Sequence, residues 1–153
     1  MFRHILVPVD DALTSAQAAQ YAFTLTRALG GQATLLRLLE NPSPAAHERA
    51  SAQLSALARE ARRPPRQVIL PLHDHDAVQA ITAYAQGQQV DLIVLGVTGE
   101  GGLTDEAVGR LATTLARTSG VPVHLAAVTR AGRPAGSNAW RRAVTRNPPP
   151  PDR

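Results

Sequence analysis

Asp10 closes the apolar run Ile5-Leu6-Val7-Pro8-Val9, and far along the chain Gly96, Gly99 and Gly109 stand with two and then nine residues between them. A carboxylate at a strand end accepts hydrogen bonds from ribose hydroxyls or a base amine. Glycines at the end of another strand let backbone N–H groups approach phosphate oxygens, and the helix that follows adds its N-terminal dipole. The set has the chemistry of a nucleotide site. Each member also has a purely structural use, in which Asp10 caps a turn and the glycines permit one. In open α/β sheets ligands sit beyond the carboxyl ends of strands, where the strand order reverses. The first and fourth strands flank that crevice if the order is 3-2-1-4-5.

The elements that must hold these residues follow from hydrophobic patterning. Five short apolar runs recur at Arg3–Val9, Gln32–Leu39, Gln67–Leu72, Asp91–Leu95 and Val121–Val128. Leu92-Ile93-Val94-Leu95 is apolar at every position, as in a strand covered on both faces. Between the runs the spacing changes to that of helices. Ala18, Ala22, Leu25 and Leu29 form one stripe, with Thr14 or Ser15 to cap it and Gly30-Gly31 to end it. Ala50, Leu54, Leu57 and Ala61 form a second, stopped by Pro64-Pro65. Val78, Ile81 and Ala85 form a third behind Asp76 as N-cap, and Val108, Leu111, Ala112 and Leu115 a fourth that ends near Gly120. Stripes built largely on Ala imply close helix–sheet approach. Strict alternation of strand and helix argues for a doubly wound, mainly parallel sheet with right-handed crossovers.

A chain of 153 residues suits one domain with a real core. Without cysteine it forms no disulfide and has no thiolate chemistry, so a zinc site would need His and carboxylates alone. All 16 basic residues are Arg. The absence of Lys excludes Schiff-base catalysis and the lysine of a P-loop. Six of the Arg follow position 129, opposed there by Asp152, so the high isoelectric point belongs to the tail; residues 1–129 hold ten Arg against 11 acids. Domain boundaries are expected at 1–128 for the α/β domain and 129–153 for an Arg- and Pro-rich disordered tail carrying a lone Trp140. No signal-peptide stretch opens the sequence and no run approaches the roughly 20 apolar residues of a membrane span, so a cytoplasmic location without membrane contact is expected.

Gly96-Val97-Thr98-Gly99, nine residues and then Gly109 resemble the glycine signature of nucleotide-binding universal stress proteins, in which Ser or Thr follows the last glycine. Ile5–Asp10 is similar to that family's opening strand with its acidic end, and Ser15 and Ala18 fall where its first helix carries Ser and Ala. Asp91-Leu92-Ile93-Val94-Leu95-Gly96 is similar to its fourth strand, and Val121-Pro122-Val123 to its fifth. The resemblance covers residues 3–128. It implies a Rossmann-like α/β fold with a five-stranded, mainly parallel sheet in 3-2-1-4-5 order and helices on both faces. It further implies a homodimer through the last strand and a regulatory role in the stress response, with ATP or another adenine nucleotide (ADP or AMP), accompanied by Mg²⁺, as ligand. By the same resemblance Asp10 contacts the adenosine, and Gly96, Gly99 and Gly109 line the phosphates.

Arg110 departs from the signature, standing where a Ser or Thr hydroxyl meets phosphate. Its guanidinium either forms bidentate contacts to a phosphate or fills the phosphate space, paired with Asp10, Asp105 or Glu106. The second reading leaves a ligand-free stress adaptor that works through dimer and partner contacts. His73-Asp74-His75-Asp76 stands where the family often has Gly and Pro; a metal site there lacks further ligands, and a solvated loop with Asp76 as cap is the simpler reading. His4, His47 and His124 receive no role. Asp10-Asp11 also resembles the acidic pair of receiver domains, with Asp74 as the phosphoacceptor, but no Lys exists to complete that site. A flavodoxin is disfavoured because the loop after the first strand lacks a run of hydroxyl and glycine phosphate ligands. No nucleophile–base pair or carboxylate constellation points to an enzyme. The basic tail suggests weak contact with nucleic acid or an acidic partner.

Overall fold

Strand β1 (His4–Val9) reads intermediate-buried-buried-buried-intermediate-buried, and its alternate side chains enter two separate cores. Ile5, Val7 and Val9 join one cluster, whereas Leu6 joins the other, as the two-residue period of a strand requires. This computed structural model describes residues 2–99 and 103–127, with the side chains at 103 and 104 left aside. The expected tail 129–153 and Trp140 lie outside the described residues.

Nine elements alternate along the chain. After β1 come helix α1 (Leu13–Leu29), strand β2 (Gln32–Leu39), helix α2 (Pro44–Ala58) and strand β3 (Arg66–Pro71). Helix α3 (Ala77–Gly87), strand β4 (Leu92–Val97), helix α4 (Leu103–Ser119) and strand β5 (Val123–Ala127) follow. The strands form one parallel sheet in the order β3-β2-β1-β4-β5, as the sequence resemblance implied. Ala18, Ala19 and Ala22 of α1 and Leu54 of α2 cover one face with Leu35, Leu92 and Val94. Ile81 and Ala85 of α3 and Ala112 and Leu115 of α4 cover the other with Leu36, Ile93 and Leu95. Among the described residues no helix is long and apolar enough to cross a membrane.

Several boundaries differ from the sequence reading. Strand β4 runs on to Val97, so Gly96 lies inside it rather than closing it. Helix α1 starts at Leu13 behind Ala12, which gives no side-chain cap; Ser15, foreseen as a cap, is buried and turned toward Asp10 instead. Helix α2 ends at Ala58, before Pro64-Pro65, and starts on Ser43, whose hydroxyl accepts from the Ala46 amide with Pro44 in the first turn. Asp76 caps α3 as expected, accepting from the Gln79 amide at 2.7 Å.

Pro8 shapes the sheet most. The carbonyl of Arg3 accepts from Gln32 on β2 and that of His4 accepts from Asp91 beside β4, so even-numbered residues of β1 address β4. Pro8 is even-numbered and has no N–H to donate. All six residues of β1 pair with β2, but only Ile5 and Leu6 register with β4. Beyond Leu6 the two strands part. At the opposite end they are clamped, because the Asp91 carboxylate accepts from the Arg3 amide at 2.8 Å and the His4 amide at 3.0 Å.

His124 of β5 stacks parallel on Tyr21 of α1, with ring centroids 4.6 Å apart. Burial pushes its pKa below the usual 6.5. An unfolded chain therefore takes up this proton at a higher pH than the folded one does. Stability contributed by the neutral ring is intact above 6.5 and falls as pH drops through that value toward the folded pKa. The Tm advantage of the parent over His124→Phe, which keeps the stack without titrating, should shrink between pH 7.5 and 5.5. A constant difference would count against this assignment.

Candidate functional site

The parting of β1 and β4 opens the sheet at its carboxyl end, where Asp10 follows β1 and Gly96 lies in β4. Asp10 is exposed, and its Oδ1 is engaged by its own neighbourhood. The Ser15 hydroxyl donates to it at 2.7 Å and the Ala12 amide at 2.8 Å, while the Asp10 amide donates back to Ser15 Oγ at 3.0 Å. This reciprocal arrangement ties the end of β1 to the first turn of α1. Among the described residues no donor meets Oδ2, so half of the carboxylate is available to a ligand. The Asp10 carbonyl accepts from Gln53 Nε2 of α2 at 2.7 Å.

Arg37 and Gln53, to which the sequence reading gave no role, and Asp105, which it weighed only as a partner of Arg110, complete this end. Arg37 of β2 donates to the Val9 carbonyl at 3.3 Å and to Asp11 at 3.0 Å, with its Nε buried and without a partner among the described residues. A lone charge inside the apolar run Gln32–Leu39 was its signal. Gln53 gave none, because a glutamine on a helix face looks solvated until the fold brings it to Asp10. Asp105 of α4 holds Thr98, accepting from its amide at 2.9 Å and its hydroxyl at 2.6 Å. That pair fixes the segment after β4 to the start of α4.

The three glycines have different surroundings. A Cβ on Gly96 would lie 2.0 Å from the Thr14 carbonyl oxygen and 2.6 Å from its carbon, so this glycine lets α1 approach β4. Gly99 has φ 76°, the left-handed region that favours glycine. Gly109 sits inside α4 with nothing within 4 Å of its missing Cβ, and so borders open space. Arg110 pairs with Glu106 at 2.9 Å, one turn away, and both side chains are about two-thirds exposed. Of the three acidic partners considered for Arg110, the structure selects Glu106; Asp10 is held by Ser15 and Asp105 holds Thr98.

Among the described residues the charge balance at this end is acidic. Asp10, Asp11, Asp105 and Glu106 face Arg37 and Arg110, and both arginines are already paired. An anion entering here meets repulsion unless it carries few charges or brings a cation. Beside this end a cleft of about 380 Å³ is lined by Leu39, Pro42, Ser43, Pro44, His47 and Ile69. The His73–Asp76 segment folds as a turn, with His75 N–H donating to the Leu72 carbonyl. No group of three His or carboxylate side chains gathers among the described residues.

A model of the universal stress protein family matches residues 1–127. No curated protein sequence matches the chain significantly. Among solved structures, a universal stress protein in complex with cAMP has a TM-score of 0.63 and 15% identity, covering 81% of this chain and 95% of that one. A universal stress protein from Archaeoglobus fulgidus in complex with dAMP gives 0.61 and 15%, over 82% and 97%. A hypothetical protein whose biochemical function was assigned from its structure gives 0.67 and 19%, over 85% and 97%. At these identities the likeness speaks for the fold.

Proposed function

Because the chain belongs to the universal stress protein family, we propose that it is a regulatory binding module, not an enzyme, for an adenine nucleotide at the carboxyl ends of β1 and β4. The loss of pairing between β1 and β4 after Leu6 carries this reading, since it frees the strand ends that lead to Asp10 and to the Gly96–Gly99 segment from pairing with each other. Two related structures hold cAMP and dAMP. In this chain Asp10 would offer Oδ2 to the ribose, and the open space at Gly109 would admit phosphate. The acidic mouth favours nucleotides with a single phosphate, and ATP would need Mg²⁺ to offset its charge. The edge strand β5, with Leu125 exposed, supports a homodimer formed along it.

Thermal unfolding with AMP, cAMP and Mg·ATP tests the reading. A ligand at a hundred times its Kd stabilises by about 2.7 kcal/mol, a shift of several degrees. AMP or cAMP should raise the Tm of the parent, and Gly109→Leu should abolish the shift while leaving the ligand-free protein intact. Arg110→Ser separates the two roles of that residue: a weaker shift makes it a phosphate ligand, and a larger one makes it an obstruction. If no nucleotide moves the Tm of parent or Arg110→Ser, the nucleotide reading fails and the ligand-free adaptor stands.

A further inference from the structure

Among the described residues, arginines concentrate at the other end of the sheet. Two clefts adjoin there, of about 430 Å³ and 650 Å³, and share Thr26, Gly30 and Arg63. Arg27, Arg62 and Arg63 line the first and Arg3 joins Arg63 in the second, against a single carboxylate, Glu60. None of the four guanidinium groups has a carboxylate partner among the described residues. Among the described residues the one side-chain bond of the set runs from Arg63 to the Gly30 carbonyl at 3.5 Å.

A bland account is that these arginines offset helix ends. Helices α1 and α2 both finish here, and each C-terminus carries about half a negative charge. Together they balance one guanidinium, Glu60 balances another and the Asp91 carboxylate beside the Arg3 amide offsets a third, so the four guanidinium groups keep a net positive excess. These charges line a concave surface of ligand-site size. Phe23, packed against the core, forms an apolar part of its wall. The planar donor fork of Arg matches phosphate oxygens bidentately. Charges of one sign along a cleft also focus counter-ions into it.

We propose that this arginine-lined cleft at the amino end of the sheet, between the C-termini of α1 and α2, binds a small molecule carrying two or more phosphate groups. Four arginines spread over two joined clefts exceed what one phosphate engages, which selects an oligophosphate. The site is independent of the nucleotide crevice and lies at the opposite ends of the strands.

The test uses the full chain with inorganic tripolyphosphate, with orthophosphate and with sodium chloride at matched ionic strength. Tripolyphosphate should raise the Tm saturably, by roughly 5 °C or more at high occupancy, and orthophosphate much less. Arg62→Ser/Arg63→Ser should weaken binding about tenfold or more, since removing even one charge-assisted hydrogen bond costs at least that factor. Gly109→Leu should leave it unchanged. Amide chemical shifts should move at Gly30, Gly31, Arg62 and Arg63. ATP competing for the cleft in Gly109→Leu would identify a nucleotide's phosphates as the source, and its failure to compete would identify a free oligophosphate. The proposal is overturned if no saturable shift occurs, if the double variant binds as well as the parent, or if the perturbed amides are those of Asp10, Gly96 and Gly109.

Discussion

Gly96→Ala is expected to cost about 3 kcal/mol of stability, roughly 10 °C in Tm, whereas Gly109→Ala stabilises by about 0.5–1 kcal/mol. The two glycines belong to one motif, and their opposite behaviour follows from their surroundings. A methyl group at Gly96 meets the Thr14 carbonyl at 2.0 Å, and that atom is helix backbone that cannot rotate away. Relief requires α1 to move off β4, which opens the cluster of Ala18, Ala19 and Ala22 against Val94. At Gly109 a methyl group meets nothing, and alanine removes the entropic cost of glycine in a helix. Denaturant titration of both variants decides the point. Equal effects would mean that the glycines share one role and that Gly96 is not a packing residue.

Leu115→Ala should cost about 3 kcal/mol as well, within the usual range for emptying a buried leucine site. Its side chain is wholly buried among Leu6, Leu36, Ile93 and Leu95. Among the described side chains of α4 only Ala112 and Leu115 are buried, compared with five residues of α1. Leu115 is therefore the one large, wholly buried described side chain that attaches the helix bearing Gly109 and Arg110. Amide exchange in Leu115→Ala should accelerate first along 103–119 and leave α1 protected. A loss below about 1 kcal/mol would show that α4 is held by other means.

The doubly wound layout could be read from the chain because it rests on local periodicity. The continuous apolar runs and the alanine stripes needed no tertiary information, and the strand limits differed by at most two residues. Gly96 shows where that reading stops. A glycine in a strand signals close approach of something, but whether that is a phosphate or the chain's own Thr14 depends on a contact 82 positions away. Asp10 was legible as a strand-end carboxylate, while its bond to Ser15 was not separated from a ligand-binding role. Gln53 at Asp10 and Asp105 at Thr98 are pairings that folding alone creates. The amino-end cleft was invisible for the same reason, since Arg3, Arg27 and Arg62-Arg63 come from three separate segments. Summing charge over residues 1–129 had cancelled them against acids at the far end.

The missing N–H of Pro8 has a mechanical consequence. One covalent ring divides the sheet into a three-stranded plate, β3-β2-β1, and a two-stranded plate, β4-β5, sutured by the pairs Ile5–Leu92 and Leu6–Ile93 and by the Asp91 clamp. Helix α1 bridges the suture from one side, with its first turn resting on Gly96. Pairing is continuous within each plate and interrupted along the line between them. A ligand wedged beyond Leu6 would act as a splint, restoring across the gap the connection that the imino ring withholds.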